Sequence, residues 1–371
     1  MKINKNFSTL LGLSLILSTF LSACSPQSET ATAPKQEISA SKQNEKLEVY
    51  TSFYPLYDFA VKIGGERAHV ENLVPPGAEP HDFEPTAKDV IKLNEGDIFI
   101  YNGSGFEAWA DKVLQSIDNS KMVIVNASEH TALLTREQTG AEEDHHDHGT
   151  ETEPKEEGHA DEEHGHEGEH KEGEHASENS SEGEHKEDEH GLEEEGINDP
   201  HIWLDPVRAK DIATAIKDSL IQADPAGKET YEKNYSNLIS QLDQLDKEFQ
   251  SVVQTAQRKE IMVSHAAYGY LVNRYGLKQM AISGLTPSDE PTQKELQEII
   301  TFAKENNVKY ILFETLVTGK VAEMVRKEIG AEALVFNPLE GLTEEEIAKG
   351  KDYFSVMREN LQSLKTALDS K

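Results

Sequence analysis

Two stretches of the chain share one rhythm: short apolar runs alternating with amphipathic segments. LEVYTSF (47–53) has the composition of a strand, and Tyr57–Ile63 follows as a helix. His69–Val74 reads as a second strand and ends in a proline-rich loop, PPGAEPHDFEP (75–85). Thr86–Asn94 suits a helix with Thr86 as N-cap. DIFIYNG (97–103) is then a strand, Phe106–Ile117 a helix and MVIVNAS (122–128) a strand. This order predicts a parallel sheet covered by helices on both faces.

A helix is predicted over Pro206–Ala223 and a much longer one over Ala226–Ala256. In the longer one Tyr231, Tyr235, Leu238, Leu242, Leu245, Phe249 and Val252 recur at steps of four and three, the stripe of a core-facing face. At 1.5 Å per residue it spans roughly 45 Å, enough to bridge two lobes. The alternation then resumes with strands at EIMVSH (260–265), LKQMAIS (277–283), VKYILFE (308–314) and EALVFNP (332–338). Helices are predicted between and after them at Tyr268–Tyr275, Thr292–Asn306, Lys320–Ile329 and Tyr353–Leu368, and Thr292 with Glu295 makes a capping box. The expected fold class is α/β: a parallel-sheet lobe (47–225), a linking helix (226–256) and a second parallel-sheet lobe (257–371).

Charge breaks this regularity once. The 371 residues carry 69 Asp and Glu against 36 Lys and Arg, a net charge of -33. Residues 141–196 hold 24 of those acids with 3 lysines, so -21 of the -33 sits in one insertion. Nucleic-acid binding is not expected, because no Lys/Arg patch is present for phosphates. One cysteine excludes a disulfide scaffold and a Cys-rich zinc site. A mean hydropathy of -0.62 with a single long apolar run excludes a polytopic membrane protein.

That run is N-terminal. Lys2 and Lys5 precede an apolar Leu10–Leu21, and the segment ends in Leu21-Ser22-Ala23-Cys24. The tetrapeptide resembles the bacterial lipobox, which implies cleavage of a signal peptide (1–23) and lipidation of Cys24. A plain signal peptide or an uncleaved anchor are the alternatives. Residues 24–46 have almost no apolar content and read as a flexible tether to the outer face of the cell membrane.

Outside the acidic insertion the chain has five histidines, His69, His81, His130, His201 and His265. His69 and His130 have no supporting context. His81, His201 and His265 sit in loops expected at strand ends, where ligands bind in open parallel sheets. Spacing alone leaves two readings open: three loop histidines with local hydrogen bonds, or three imidazoles converging with an acidic oxygen on a tetrahedral zinc. Asp82, Asp199 and Asp205 flank the histidines and suit either a partner for a ligating ring or turn formation and helix capping.

The segments PHDFEP (80–85), DPHIWLDP (199–206) and HAAYGY (265–270), in that order, resemble the metal-binding solute-binding lipoproteins of ABC importers. Within that cluster A-I periplasmic-binding-protein family they are most similar to the zinc-specific branch. The resemblance runs from about Leu47 to the C-terminus apart from the acidic insertion. It implies two Rossmann-like lobes joined by one rigid helix, with zinc held between them by His81, His201 and His265. For the fourth position it implies a C-lobe carboxylate or water; Glu340 in NPLEGL (337–342) is the candidate and Glu314 the neighbouring alternative. A histidine rather than a carboxylate at 265 favours zinc over manganese.

The insertion supplies the other ten histidines: His145, His146, His148, His159, His164, His166, His170, His175, His185 and His190. Its composition cannot form a core and predicts a disordered loop. Many zinc members of the family carry such a loop at this place, and neutral imidazoles among carboxylates take up zinc weakly. The expected function is capture of Zn2+ outside the cytoplasm and delivery to an ABC permease, by a monomer with no catalytic residues. A manganese or iron binder, or an adhesin, of the same family is the alternative. A zinc hydrolase is disfavoured, since no HExxH or similar general-base motif occurs.

Overall fold

The computed structural model describes residues 46–140 and 198–371. The expectations for Cys24 and for the ten histidines of the acidic insertion lie outside these residues. The chain begins with β1 (Leu47–Thr51), α1 (Tyr54–Gly64), β2 (Ala68–Asn72), α2 (Ala87–Asn94), β3 (Ile98–Tyr101), α3 (Ala110–Ser116), β4 (Val123–Asn126) and a single turn, α4 (Arg136–Thr139). It resumes with α5 (Arg208–Ala223), α6 (Lys228–Gln254), β5 (Glu260–His265), α7 (Gly269–Tyr275), β6 (Lys278–Ser283) and α8 (Gln293–Glu305). The remaining elements are β7 (Tyr310–Phe313), α9 (Lys320–Ile329), β8 (Glu332–Val335), α10 (Glu344–Ala348) and α11 (Tyr353–Ala367).

The strands form two four-stranded parallel sheets with the same topology, β2-β1-β3-β4 and β6-β5-β7-β8. In each, the chain leaves the first strand toward one edge and returns to pair on its other side, so strand order reverses between β1 and β3 and between β5 and β7. Open α/β sheets leave a crevice at the carboxyl ends of the strands at such a reversal.

Local chemistry explains most boundaries. Thr86 opens α2 and Thr292 opens α8, both with complete capping boxes; the box was expected at Thr292, and at Thr86 only the N-cap. The helix expected from Phe106 starts only at Ala110, because Gly103, Ser104 and Gly105 all adopt positive φ and Phe106–Trp109 is spent in turns. The 27-residue α6 is roughly 40 Å long and buries Tyr231, Leu238, Leu242, Leu245, Phe249 and Val253. Val253 replaces the expected Val252: a strict 3.5-residue repeat drifts off the face of a straight 3.6-residue helix. Tyr235 is half-buried, with its hydroxyl 2.9 Å from that of Thr214.

One apolar core runs from Val49 and Phe59 through Trp203, Leu238 and Phe249 to Val263 and Leu361, so both lobes pack on α6. Smaller clusters cover the outer sheet faces, around Phe99 and Trp109 in the first lobe and Ile299 and Ile311 in the second. Among the described residues no helix is long and apolar enough to cross a membrane.

Candidate metal centre

His265 is the last residue of β5 and Glu314 the first after β7, so both stand at the reversal point of the second sheet. His81 lies in the loop after β2, fixed by the buried Pro80 and by a bond from the His81 N–H to Glu79 Oε1 (3.2 Å). His201 is not at a strand end. It opens a short turn leading to α5, and the Asn102 amide at the end of β3 holds it in place by donating to the Pro200 carbonyl (2.9 Å). Asn102 and Gly103 in turn donate from their backbone N–H groups to the buried Glu107 carboxylate (2.8 and 3.0 Å).

The segment carrying Glu340 is held from both lobes. Trp203 Nε1 donates to the Pro338 carbonyl (2.7 Å), Tyr268 donates to that of Phe336, and Asn360 bonds both backbone groups of Asn337. Leu339 is fully buried at φ +61°, a conformation that costs a leucine of order 1–2 kcal/mol and persists because its neighbours enforce it. The Asn337 side chain accepts the Leu339 N–H (2.7 Å), and Gly77 in the His81 loop donates to the Leu342 carbonyl (3.0 Å).

The result is convergence. Nε2 of His81, His201 and His265 lies 3.6, 3.4 and 3.3 Å from Glu340 Oε1. All three nitrogens and both Glu340 oxygens are buried without a hydrogen-bond partner. Ligands about 2.0–2.1 Å from a tetrahedral zinc stand about 3.3 Å apart, close to the three distances to Glu340 Oε1, and all four ligand atoms lie within 4.8 Å of one another.

Two carboxylates set the ring tautomers. His201 Nδ1 lies 2.8 Å from Asp199 Oδ1, and His265 Nδ1 lies 2.9 Å from Glu314 Oε1. An ionised carboxylate only accepts, so each Nδ1 carries hydrogen and each Nε2 turns a lone pair inward. Ser264 Oγ also donates to Glu314 (3.0 Å), and the Tyr270 hydroxyl donates to the Asp199 carbonyl (2.8 Å). The His81 ring is placed instead by an edge contact with Phe106, centroids 4.7 Å apart.

Without metal, the charges lean on each other. Burial opposes a charged His265, but Glu314 and Glu340 outweigh it and push its pKa up to about 10. His201 is likewise raised against burial, by Asp199 and Glu340. Burial also opposes ionisation of Glu340, yet the three imidazoles hold it well below the ordinary carboxylate value. Glu79 is pushed up to about 8, first by burial and then by the charge of Glu340.

Two expected partners do not face a histidine. Asp205 instead accepts from Arg208 (2.9 Å) and Arg274, because its side chain turns toward α5 and α7. Asp82 lines a cavity beside the site. His69 pairs with Glu48 on the surface (2.7 Å). Sequence reasoning missed Glu79, Asn102, Glu107 and the strained Leu339. Glu79 sits inside the quoted loop, but nothing in its spacing marks it. Gly269 has a sequence signal in HAAYGY: a Cβ there would lie 2.2 Å from Thr139 Cβ and 2.3 Å from Asp199 Oδ2, so only glycine admits this approach.

A family model described as "Zinc-uptake complex component A periplasmic" matches residues 49–367. Zinc-binding lipoprotein AdcA of Streptococcus pneumoniae (strain ATCC BAA-255 / R6) is 36% identical over 357 residues, covering 96% of this chain. The chain spans only 60% of that relative's length. High-affinity zinc uptake system protein ZnuA of Bacillus subtilis (strain 168) is 37% identical over 330 residues, covering 89% of this chain and 90% of its own. The crystal structure of the Zn(II)-bound ZnuA-like domain of Streptococcus pneumoniae AdcA superposes with a TM-score of 0.64 at 34% identity, covering 88% of this chain and 100% of that domain. With two parallel-sheet lobes and a model match over most of its length, the chain belongs to the zinc-uptake complex component A periplasmic family.

Proposed function

We propose that this chain is a zinc-binding lipoprotein of the extracytoplasmic membrane face that captures Zn2+ and hands it to an ABC permease. One observation carries the reading: three imidazole nitrogens and one carboxylate oxygen, all buried and unpartnered, converge within 4.8 Å of one another. Three nitrogens and one oxygen suit zinc better than manganese, which favours oxygen donors. Zinc here is cargo. The arrangement would bind and orient it. His81 and His201 belong to the first lobe (47–225) and His265 and Glu340 to the second (257–371), with 226–256 as the linking helix.

The anchor would be lipidated Cys24 after loss of residues 1–23, and the acting form a monomer. The histidines of residues 144–190 would concentrate zinc loosely near the site. Deleting 144–190 is expected to slow uptake under zinc limitation, and unchanged uptake would remove that role. The central test is metal analysis with competition titration of purified protein. One tightly held Zn2+ is expected, and it should be lost in a His81→Ala/His265→Ala variant that also lacks 144–190. A site preferring Mn2+, or zinc retained in that variant, overturns the reading.

A further inference from the structure

Beside the histidines stands a second convergence. Glu79, Glu314 and Glu340 each offer an oxygen, all within 4.8 Å of one another. Oε2 of Glu79 and Oε2 of Glu314 are buried without a partner, as are both oxygens of Glu340, and the Glu314 side chain is only 4% exposed. The remaining oxygens are occupied: Glu314 Oε1 by Ser264 and His265, Glu79 Oε1 by the His81 N–H. What is left points at the shared space.

A cavity of about 250 Å³ reaches this group from outside. Glu79, Glu314 and His81 are in its wall, whereas Glu340, His201 and His265 are not. Its rim includes the exposed Ser288, Glu290 and Thr318. From solvent inward the order is therefore cavity, Glu79 and Glu314 with the edge of His81, then Glu340 with His201 and His265.

We propose that Glu79, Glu314 and Glu340 form an outer, all-oxygen position for a divalent cation, occupied on the way to the three histidines. The inference rests on the reading of the histidine site as the zinc site. Carboxylate oxygens suit hydrated and borderline divalent ions, whereas imidazole suits zinc, so passage inward is downhill for zinc. Glu340 belongs to both sets, so the ion exchanges its other ligands without leaving that carboxylate. The step is ligand exchange: the ion gives up water, and a proton held on an Nε2 passes to solvent as that nitrogen takes the metal.

The test uses the full-length chain in a Trp109→Phe background, where Trp203 is the remaining tryptophan. Its ring lies 5.3 Å from that of His201, so its fluorescence reports loading of the inner site and not of the histidine-rich insertion. Zinc chloride is mixed in a stopped-flow instrument with the parent and with Glu79→Gln, which keeps an acceptor for the His81 N–H but replaces the unpartnered oxygen with an amide nitrogen that cannot hold a cation. The association rate is expected to fall at least about tenfold, the lower end of what a charged cleft adds to an on-rate. Dissociation into excess chelator should slow in step, with an unchanged melt. Glu79→Asp, retaining both carboxyl oxygens, should recover most of the rate. A Glu79→Gln rate equal to the parent's, or Glu79→Asp as slow as Glu79→Gln, overturns the outer position. If the parent's Trp203 does not respond to zinc at all, the histidine-site reading fails instead.

Discussion

Arg274 in the second lobe grips Asp205 in the first, with Nε 2.9 Å from both carboxylate oxygens and a terminal nitrogen 2.6 Å from one. Asp205 is fully buried and also holds Arg208 and the Val207 N–H. Removing one partner of a buried pair leaves an uncompensated charge and costs about 3–5 kcal/mol. Because Arg208 stays, Arg274→Ala is expected at or below the low end, about 2–3 kcal/mol in urea unfolding. Asp205→Ala should cost more, since it strands both arginines. Equal stability of Arg274→Ala and the parent would show the clamp to be ornamental.

Glu314 and Asp199 fix the inward lone pairs of His265 and His201. Losing such partners typically costs about 10–100-fold in metal affinity. Glu314→Gln and Asp199→Asn are each expected to weaken zinc by that factor, read from Trp203 fluorescence against a competing chelator. Asp82→Asn should leave affinity within about threefold by the same measure, since its carboxylate orients no ring.

Acidity should separate the metal-free and zinc-loaded proteins. His265 is raised from 6.5 to about 10 and His201 is raised too, so their charged forms stabilise the metal-free fold. That contribution is whole below pH 6.5 and fades as pH climbs toward 10. Glu340 is lowered, so its contribution is present above 4.5 and is lost on acidification. The melting temperature of chelator-treated protein is therefore expected to fall between pH 6.5 and 10. Zinc binds the deprotonated rings, so its stabilisation grows over the same interval. Calorimetry should show the gap between the two forms widening; parallel curves would contradict the raised histidines.

Gly269 sits where α7 meets the Asp199 loop and α4, with no room for a methyl group. Gly269→Ala is expected to cost about 1–3 kcal/mol, as overpacking does, and to weaken zinc through displacement of Asp199. Denaturant midpoints and zinc titration check both.

The α/β order and the caps at Thr86 and Thr292 were legible from local pattern, whereas His81, His201, His265 and Glu340 were named through motifs and the family resemblance those motifs carry. What escaped was set by distance or by conformation. Asp205 stands four residues from His201, yet its carboxylate turns to Arg274, 69 residues away; adjacency says nothing of where a side chain points. The turns α4 and α10 are too short for periodicity, although Thr135 with Gln138 and Thr343 with Glu346 are capping boxes in plain view. Leu339 at positive φ has no sequence signal, since leucine is a residue that avoids it. Glu314 was seen as a neighbour, but its grip on His265 follows from the adjacency of β5 and β7.

The two sheets present their reversal points to a shared seam, and the donor set is divided there, two residues from each side. Neither half owns a complete grip. On the proposed reading, holding the ion and holding the halves together would be a single equilibrium, and a partner that parts them would loosen the cargo without touching a donor. Release would then need no further device, as a clasp opens when its two plates are drawn apart.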